Sequence, residues 1–215
     1  MLKAVVFDMD GVIIDSEKLY RRYQMEEGKK WGIPEDLMQI VCEKIAGGTK
    51  YTNKQKFEDL VGRGIDYFDF REGMINRLDA HIRAHGVDLK YGVAQTLQYL
   101  HEKGIKIGLA TSTIRERAYK ILTDHGIYDY FYTLVFGDEV EHGKPAPDIY
   151  LAACERLGVK PEEAVGVEDS INGIVSSSTA GLYTVMVVDL IPPKDEIRPL
   201  VKQIYDDVTQ LRQII

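Results

Sequence analysis

Apolar and polar positions along the chain fall into two patterns. Five short apolar runs, at residues 2–7, 105–110, 133–136, 164–167 and 183–188, are rich in Val and Ile. None alternates strictly, which suits strands covered on both faces, as in a parallel sheet. Between the later runs lie stretches of helical character at 93–103, 114–125 and 148–157. A glycine follows each of them, Gly104, Gly126 or Gly158, the residue that most often stops a helix. From about residue 88 onward the order is strand, helix, strand, helix. That order predicts a doubly wound α/β fold on a parallel sheet.

The interval between the first two runs is different. It shows no convincing strand, but amphipathic helical stretches at 17–31, 35–46, 53–61 and 70–84. A structureless loop of that length is improbable inside a compact domain. The expected organisation is an α/β core domain of residues 1–15 and 88–215, with an inserted α-helical subdomain at 16–87.

Composition narrows the classes. The 215 residues are 45% hydrophobic and 28% charged, enough to bury one large core or two small ones. Collagen, low-complexity tails and wholesale disorder are excluded. Acidic residues outnumber basic ones 34 to 27, giving a net charge of −7. No basic block exceeds Arg21-Arg22 or Lys29-Lys30, so no nucleic-acid partner is expected. Cys42 and Cys154 are too few for a disulfide framework and are expected to be buried small hydrophobes. The N-terminal MLKAVVFDMDGV is broken by carboxylates and does not read as a signal peptide. No apolar run approaches the roughly 20 residues that span a bilayer. A soluble, cytoplasmic protein without a membrane partner is the expectation.

Candidate chemistry collects where the strands end. Ligands of a parallel α/β sheet bind beyond the carboxyl ends of its strands. There the chain places Asp8 and Asp10, then Thr111 and Ser112, then Lys144 in a Gly-Lys-Pro loop, then Glu168 and Asp169. Each alone has a plain structural explanation: a turn or cap for the aspartates, a helix cap for Thr111, Ser112, Glu168 and Asp169, and a solvated loop for Lys144. Together they argue for a site. Residues two apart on a strand point to the same side, so Asp8 and Asp10 can face one reacting group, and Gly11 permits a tight turn just after them. Clustered carboxylates repel unless a cation joins them, and oxygen ligands without His or Cys point to Mg²⁺. A carboxylate nucleophile, a divalent cation, a lysine and hydroxyls at a helix start are the parts that phosphoryl transfer needs.

The segments FDMDGVIIDSE, LATST, GKPAPDIY and GVEDSINGI resemble, in order, the four motifs of the haloacid dehalogenase superfamily of phosphotransferases. The helical insertion is similar to the cap of its β-phosphoglucomutase-like branch. The resemblance covers essentially the whole chain. It implies that Asp8 is the nucleophile that becomes an aspartyl-phosphate, and that Asp10 is the general acid/base. Thr111 and Ser112 would bind phosphate, and Lys144 would hold nucleophile and phosphate together. Glu168 and Asp169 would hold Mg²⁺ with Asp8 and the Asp10 carbonyl. The stretch 45–50, with Gly47 and Lys50, resembles the cap loop that reaches toward the substrate, and Arg71 is a weaker cap candidate. Trp31 is expected in the cap core. Tyr20 stands where the mutase pattern has histidine.

The expected activity is therefore that of a Mg²⁺-dependent phosphatase on a small phosphorylated metabolite, a sugar phosphate foremost, acting as a monomer. A β-phosphoglucomutase using the same intermediate is the alternative, followed by a non-catalytic binding module. Dehalogenation has no need of the second aspartate or of the acidic pair.

Overall fold

The computed structural model describes residues 2–46, 48, 50–62, 64–189 and 192–215, and for Lys50 the backbone only. Two compact units emerge, one running to Asp15 and resuming over Asp88–Ile215, the other formed by Ser16–Val87. The strands are β1 (Ala4–Phe7), β2 (Lys106–Thr111), β3 (Thr133–Phe136), β4 (Ala164–Glu168), β5 (Tyr183–Val187) and β6 (Gln203–Tyr205). The helices are α1 (Glu17–Lys30), α2 (Glu35–Ile45), α3 (Lys50–Val61), α4 (Tyr67–His85), α5 (Val93–Glu102), α6 (Arg115–Asp124), α7 (Asp148–Leu157) and α8 (Ile171–Thr179).

In the first unit the six strands form one sheet in the order β3-β2-β1-β4-β5-β6, and every pairing is parallel. All residues of β1 and β4 are buried, which is why these runs carry no alternation. The chain leaves β1 for β2 and β3 on one side, then crosses back to β4, β5 and β6 on the other. The reversal sets the crevice of the sheet beside the end of β1, where open α/β sheets take their ligands. The five expected runs supply β1 to β5 with ends shifted by up to two residues. The sixth strand is new: QIY at the edge has one buried residue, Tyr205, too little apolar pattern to be read in advance.

Within the sheet unit, main-chain bonds join the segment before the insertion to the segment after it. Asp15 N–H donates to Asp88 O at 2.9 Å and Lys90 N–H to Ile13 O at 2.9 Å, with an antiparallel bridge between Ile14 and Leu89. The helical unit has a core of its own. Ile33, Met38, Val41, Cys42, Ile45, Phe57, Tyr67 and Phe70 make that core, with the Phe57 and Phe70 rings 4.9 Å apart. α4 starts three residues before the expected position because the Asp66 carboxylate caps the Phe68 and Asp69 N–H groups. Trp31 departs from expectation. It follows the last residue of α1, is 37% exposed, and its indole N–H donates to Glu27 instead of filling the core. Among the described residues no helix is long and apolar enough to cross a membrane.

Candidate active site

The end of β1 delivers Asp8, and Asp10 follows inside a tight turn. Gly11 makes the turn possible. Its φ is +77°, and a Cβ there would lie 2.2 Å from Oδ2 of Asp169, so neither the conformation nor the space admits a side chain. β4 ends in Glu168, with Asp169 next. The first position of α8 is capped by Ser170, whose hydroxyl accepts the Gly173 N–H at 3.1 Å. The cap of α8 is therefore Ser170 and not Glu168 or Asp169. Nor do Thr111 and Ser112 cap α6, whose N-cap residue is Ile114 with no side-chain bond.

Lys144 ties the strand ends together. Its ammonium donates to Asp8 Oδ1 at 2.6 Å, to Glu168 Oε1 at 2.6 Å and to Ala110 O at 2.9 Å, which uses all three of its protons. Glu168 is wholly buried. It also accepts the Tyr150 hydroxyl at 2.7 Å and the Ser170 hydroxyl at 3.2 Å. Gly173 gives it room, since a Cβ there would fall 1.9 Å from the Glu168 carboxylate. Burial works against the Lys144 charge, yet the Asp8 and Glu168 carboxylates outweigh it and hold the ammonium above the ordinary lysine range. Burial pushes the Asp8 carboxyl up to about 7, against the pull of Lys144 and with the push of Glu168 and Asp10. Burial and the Glu168 charge keep Tyr150 firmly protonated, so it serves as a donor.

Asp8, Glu168 and Asp169 offer ligand oxygens that all lie within 4.8 Å of one another. Asp8 and Glu168 thus share the Lys144 ammonium, with the Asp169 carboxylate close beside them, a crowding of acidic oxygens that a divalent cation would ease. Carboxylate oxygens without nitrogen or sulfur suit a hard cation. The residues present fit a metal ion. The Asp10 carboxylate is outside this group and accepts the Thr113 hydroxyl instead.

The structure therefore brings Asp8, Asp10, Lys144, Glu168 and Asp169 to one end of the sheet. Thr111 closes β2 and is fully buried; its Oγ1 accepts the Thr113 N–H at 3.0 Å, while Ser112 beside it is exposed. The remaining candidates belong to the helical unit: Arg71 on α4 and Tyr20 on α1, each half-buried. Gly47 and the Lys50 side chain lie outside the described residues. Sequence reasoning missed Thr113, Tyr150 and Gly173. Each sits inside a quoted motif, and only the fold shows which carboxylate it serves.

A family model described as haloacid dehalogenase-like hydrolase matches residues 2–181. The phosphorylated carbohydrates phosphatase of Thermotoga maritima is 35% identical over 186 residues, covering 84% of this chain and 82% of that protein. The β-phosphoglucomutase of Bacillus subtilis is 34% identical over 200 residues, covering 86% and 83%. The crystal structure of CbbY from Rhodobacter sphaeroides in complex with phosphate superposes with a TM-score of 0.74 at 25% identity, covering 98% of this chain and 96% of that one.

Proposed function

The chain belongs to the haloacid dehalogenase-like hydrolases, and we propose that within that family it is a Mg²⁺-dependent phosphatase of small phosphorylated metabolites, sugar phosphates foremost. One observation carries the reading. The Asp8 carboxylate is pinned by Lys144 at 2.6 Å, beside an acidic cluster that a divalent cation would balance, with a second aspartate two positions on. Asp8 is the nucleophile and forms an aspartyl-phosphate. Asp10 gives a proton to the leaving oxygen and later takes one from water. Lys144 orients Asp8 and adds positive charge where charge on the transferring phosphoryl group builds up. Asp8, Asp169 and Glu168, with the Asp10 carbonyl, would hold Mg²⁺, which neutralises phosphate charge so that an anionic nucleophile can approach. Thr111 and Ser112 would meet the phosphate at the start of α6. The helical unit would act as a cap, with Lys50 and Gly47 contributing to substrate choice.

The identity to a mutase keeps one rival in view. Transfer to a second sugar hydroxyl needs the same Asp8 chemistry with water held off. A screen of phosphorylated metabolites with Mg²⁺, scored for both free phosphate and isomerised product, separates the two. It should include β-glucose 1-phosphate with a trace of glucose 1,6-bisphosphate. Phosphate release dominating on the best substrates is the expected result. Rapid glucose 6-phosphate formation with little free phosphate would replace the hydrolase with the mutase. No turnover of any ester, p-nitrophenyl phosphate included, would leave a binding module.

A further inference from the structure

We propose that Thr113 and Arg117 are positioning residues for the acid/base Asp10, a relay running from the side of α6 into the turn after β1. The inference rests on the role given to Asp10 above and goes beyond it. Thr113 is 4% exposed, and its hydroxyl donates to Oδ2 of Asp10. Arg117, four residues on and in the first turn of α6, donates from Nη2 to the same Thr113 oxygen at 3.3 Å. A guanidinium has no acceptor, so Arg117 is the donor in its bond to Thr113. Arg117 fills a lone pair of the hydroxyl, and the single hydroxyl proton goes to the Asp10 carboxylate. The Thr113 backbone is anchored in turn by its N–H on Thr111 Oγ1 at 3.0 Å.

This arrangement answers a need of the turn. Asp10 precedes Gly11, whose left-handed φ turns the chain sharply away, and it lies beyond the last residue of β1. A carboxylate there must be steered from outside its own strand, because proton transfer works only within hydrogen-bond reach of the leaving oxygen. The bond from Thr113 to one oxygen restricts the rotamer of the acid/base carboxylate. In the first half-reaction the Asp8–phosphorus bond forms and the bond from phosphorus to the ester oxygen breaks. The proton on Asp10 goes to that oxygen, and the alcohol departs neutral.

A positioning role has a signature that a loss of packing lacks. An alkoxide is a poor leaving group and depends on the Asp10 proton; p-nitrophenolate leaves without it. The parameter to follow is kcat/KM, which covers only the steps up to departure of the alcohol and so excludes the later attack of water. Thr113→Val should lower kcat/KM on the best alkyl phosphate from the screen above by about 10–100-fold, a part of what an acid/base group contributes. On p-nitrophenyl phosphate the fall should be less than about threefold. Thr113→Ser, which keeps the hydroxyl, should restore most of the difference. Arg117→Gln should show the same leaving-group selectivity at smaller size and have no further effect in a Thr113→Val background. If Thr113→Val does not fold, the selectivity of Arg117→Gln decides the matter. Equal losses on both esters, or no loss, would overturn the relay. A wild-type protein inactive on every ester would instead overturn the phosphatase reading.

Discussion

Glu27 on α1 and Glu168 at the end of β4 are both wholly buried, and both face a glycine on a packed helix. A Cβ on Gly73 would lie 2.5 Å from the Glu27 carboxylate, and one on Gly173 would lie 1.9 Å from that of Glu168. Their partners differ. Glu27 meets Lys30 at 2.9 Å, the Trp31 indole N–H at 3.0 Å and Arg77 at 3.3 Å, so two cations and a neutral donor answer one carboxylate. Glu168 shares a single ammonium with Asp8 and stands in a group of three carboxylates. Burial of a charge is common to both places; a crowding of three carboxylates belongs to one. The crowding, and not the burial, points to a cation and to chemistry.

Neutralising each place in turn is the hardest test of that contrast. Asp8→Asn removes the nucleophile, so turnover of p-nitrophenyl phosphate should fall below detection and no phosphorylated protein should accumulate. The fold should survive, because one fewer carboxylate relieves the cluster; a thermal melt without metal should show no loss. Glu27→Gln should do the reverse. It should cost about 1–3 kcal/mol of stability, read by denaturant unfolding, while turnover of the same small ester stays at the wild-type level. Lys30 and Arg77 are both about half exposed, so they can rehydrate and the loss stays below that of stranding a buried charge. A catalytically dead Glu27→Gln, or an active Asp8→Asn, would erase the distinction.

Metal sharpens the same contrast. EDTA should abolish turnover and Mg²⁺ restore it, with Ca²⁺ a poor substitute because it prefers more ligands at longer distances. Mg²⁺ at about 100 times its dissociation constant should add about 2.7 kcal/mol to stability. Calorimetric melts should show this gain in wild type and in Glu27→Gln, and its loss in Asp169→Asn. Full activity in metal-free buffer would sink the assignment of the cluster.

What the sequence made legible follows from the range of the interactions involved. The apolar runs, the helix-stopping glycines and the spacing of Asp8, Asp10, Lys144, Glu168 and Asp169 are visible because each strand end lies within a few residues of its own run. Pairing across the fold is not visible. Nothing local says that Tyr150 donates to Glu168 or that Thr113 serves Asp10, 103 positions away. Gly73 and Gly173 read as ordinary residues until the carboxylates they shelter are found opposite them. The expected place of Trp31 in the cap core is not the observed one. Its place just past the end of α1, with the indole N–H turned to Glu27, set the outcome instead. The β6 edge strand escaped because three residues with one buried side chain carry almost no pattern.

The two glycines offer a smaller, matched test. Gly173→Ala forces the Glu168 carboxylate to move away from Lys144 and Tyr150. Turnover should fall about tenfold, the effect of roughly 1.4 kcal/mol on the barrier, with a weaker Mg²⁺ response in the melt. Gly73→Ala displaces Glu27 in the same way, but helix propensity returns up to about 1 kcal/mol. Stability should therefore change little and turnover of a small ester not at all. A Gly173→Ala protein with wild-type kinetics would mean that Glu168 tolerates displacement and is not held in place for function.

The smallest expected effect uses the one thiol that each unit carries. Cys42 in the helical core and Cys154 on α7 are both free and buried, and burial pushes each thiol from 9.0 up to about 11. A raised value means that the folded state favours the protonated thiol. The associated stability is complete below the unfolded value of 9.0 and is lost as the pH rises toward about 11. Near neutral pH both thiols should resist a disulfide reagent, reacting only when their unit opens. Mg²⁺ at about twice its dissociation constant should slow labelling of Cys154 by about threefold, because it binds only the closed sheet unit. Cys42 should label at an unchanged rate, since the helical unit holds no part of the acidic cluster. Mass spectrometry of the labelled cysteines, with and without Mg²⁺, reads both rates in one sample. Equal protection of the two would show that the units open together and that the electrostatic difference between Glu27 and Glu168 has no counterpart in their dynamics.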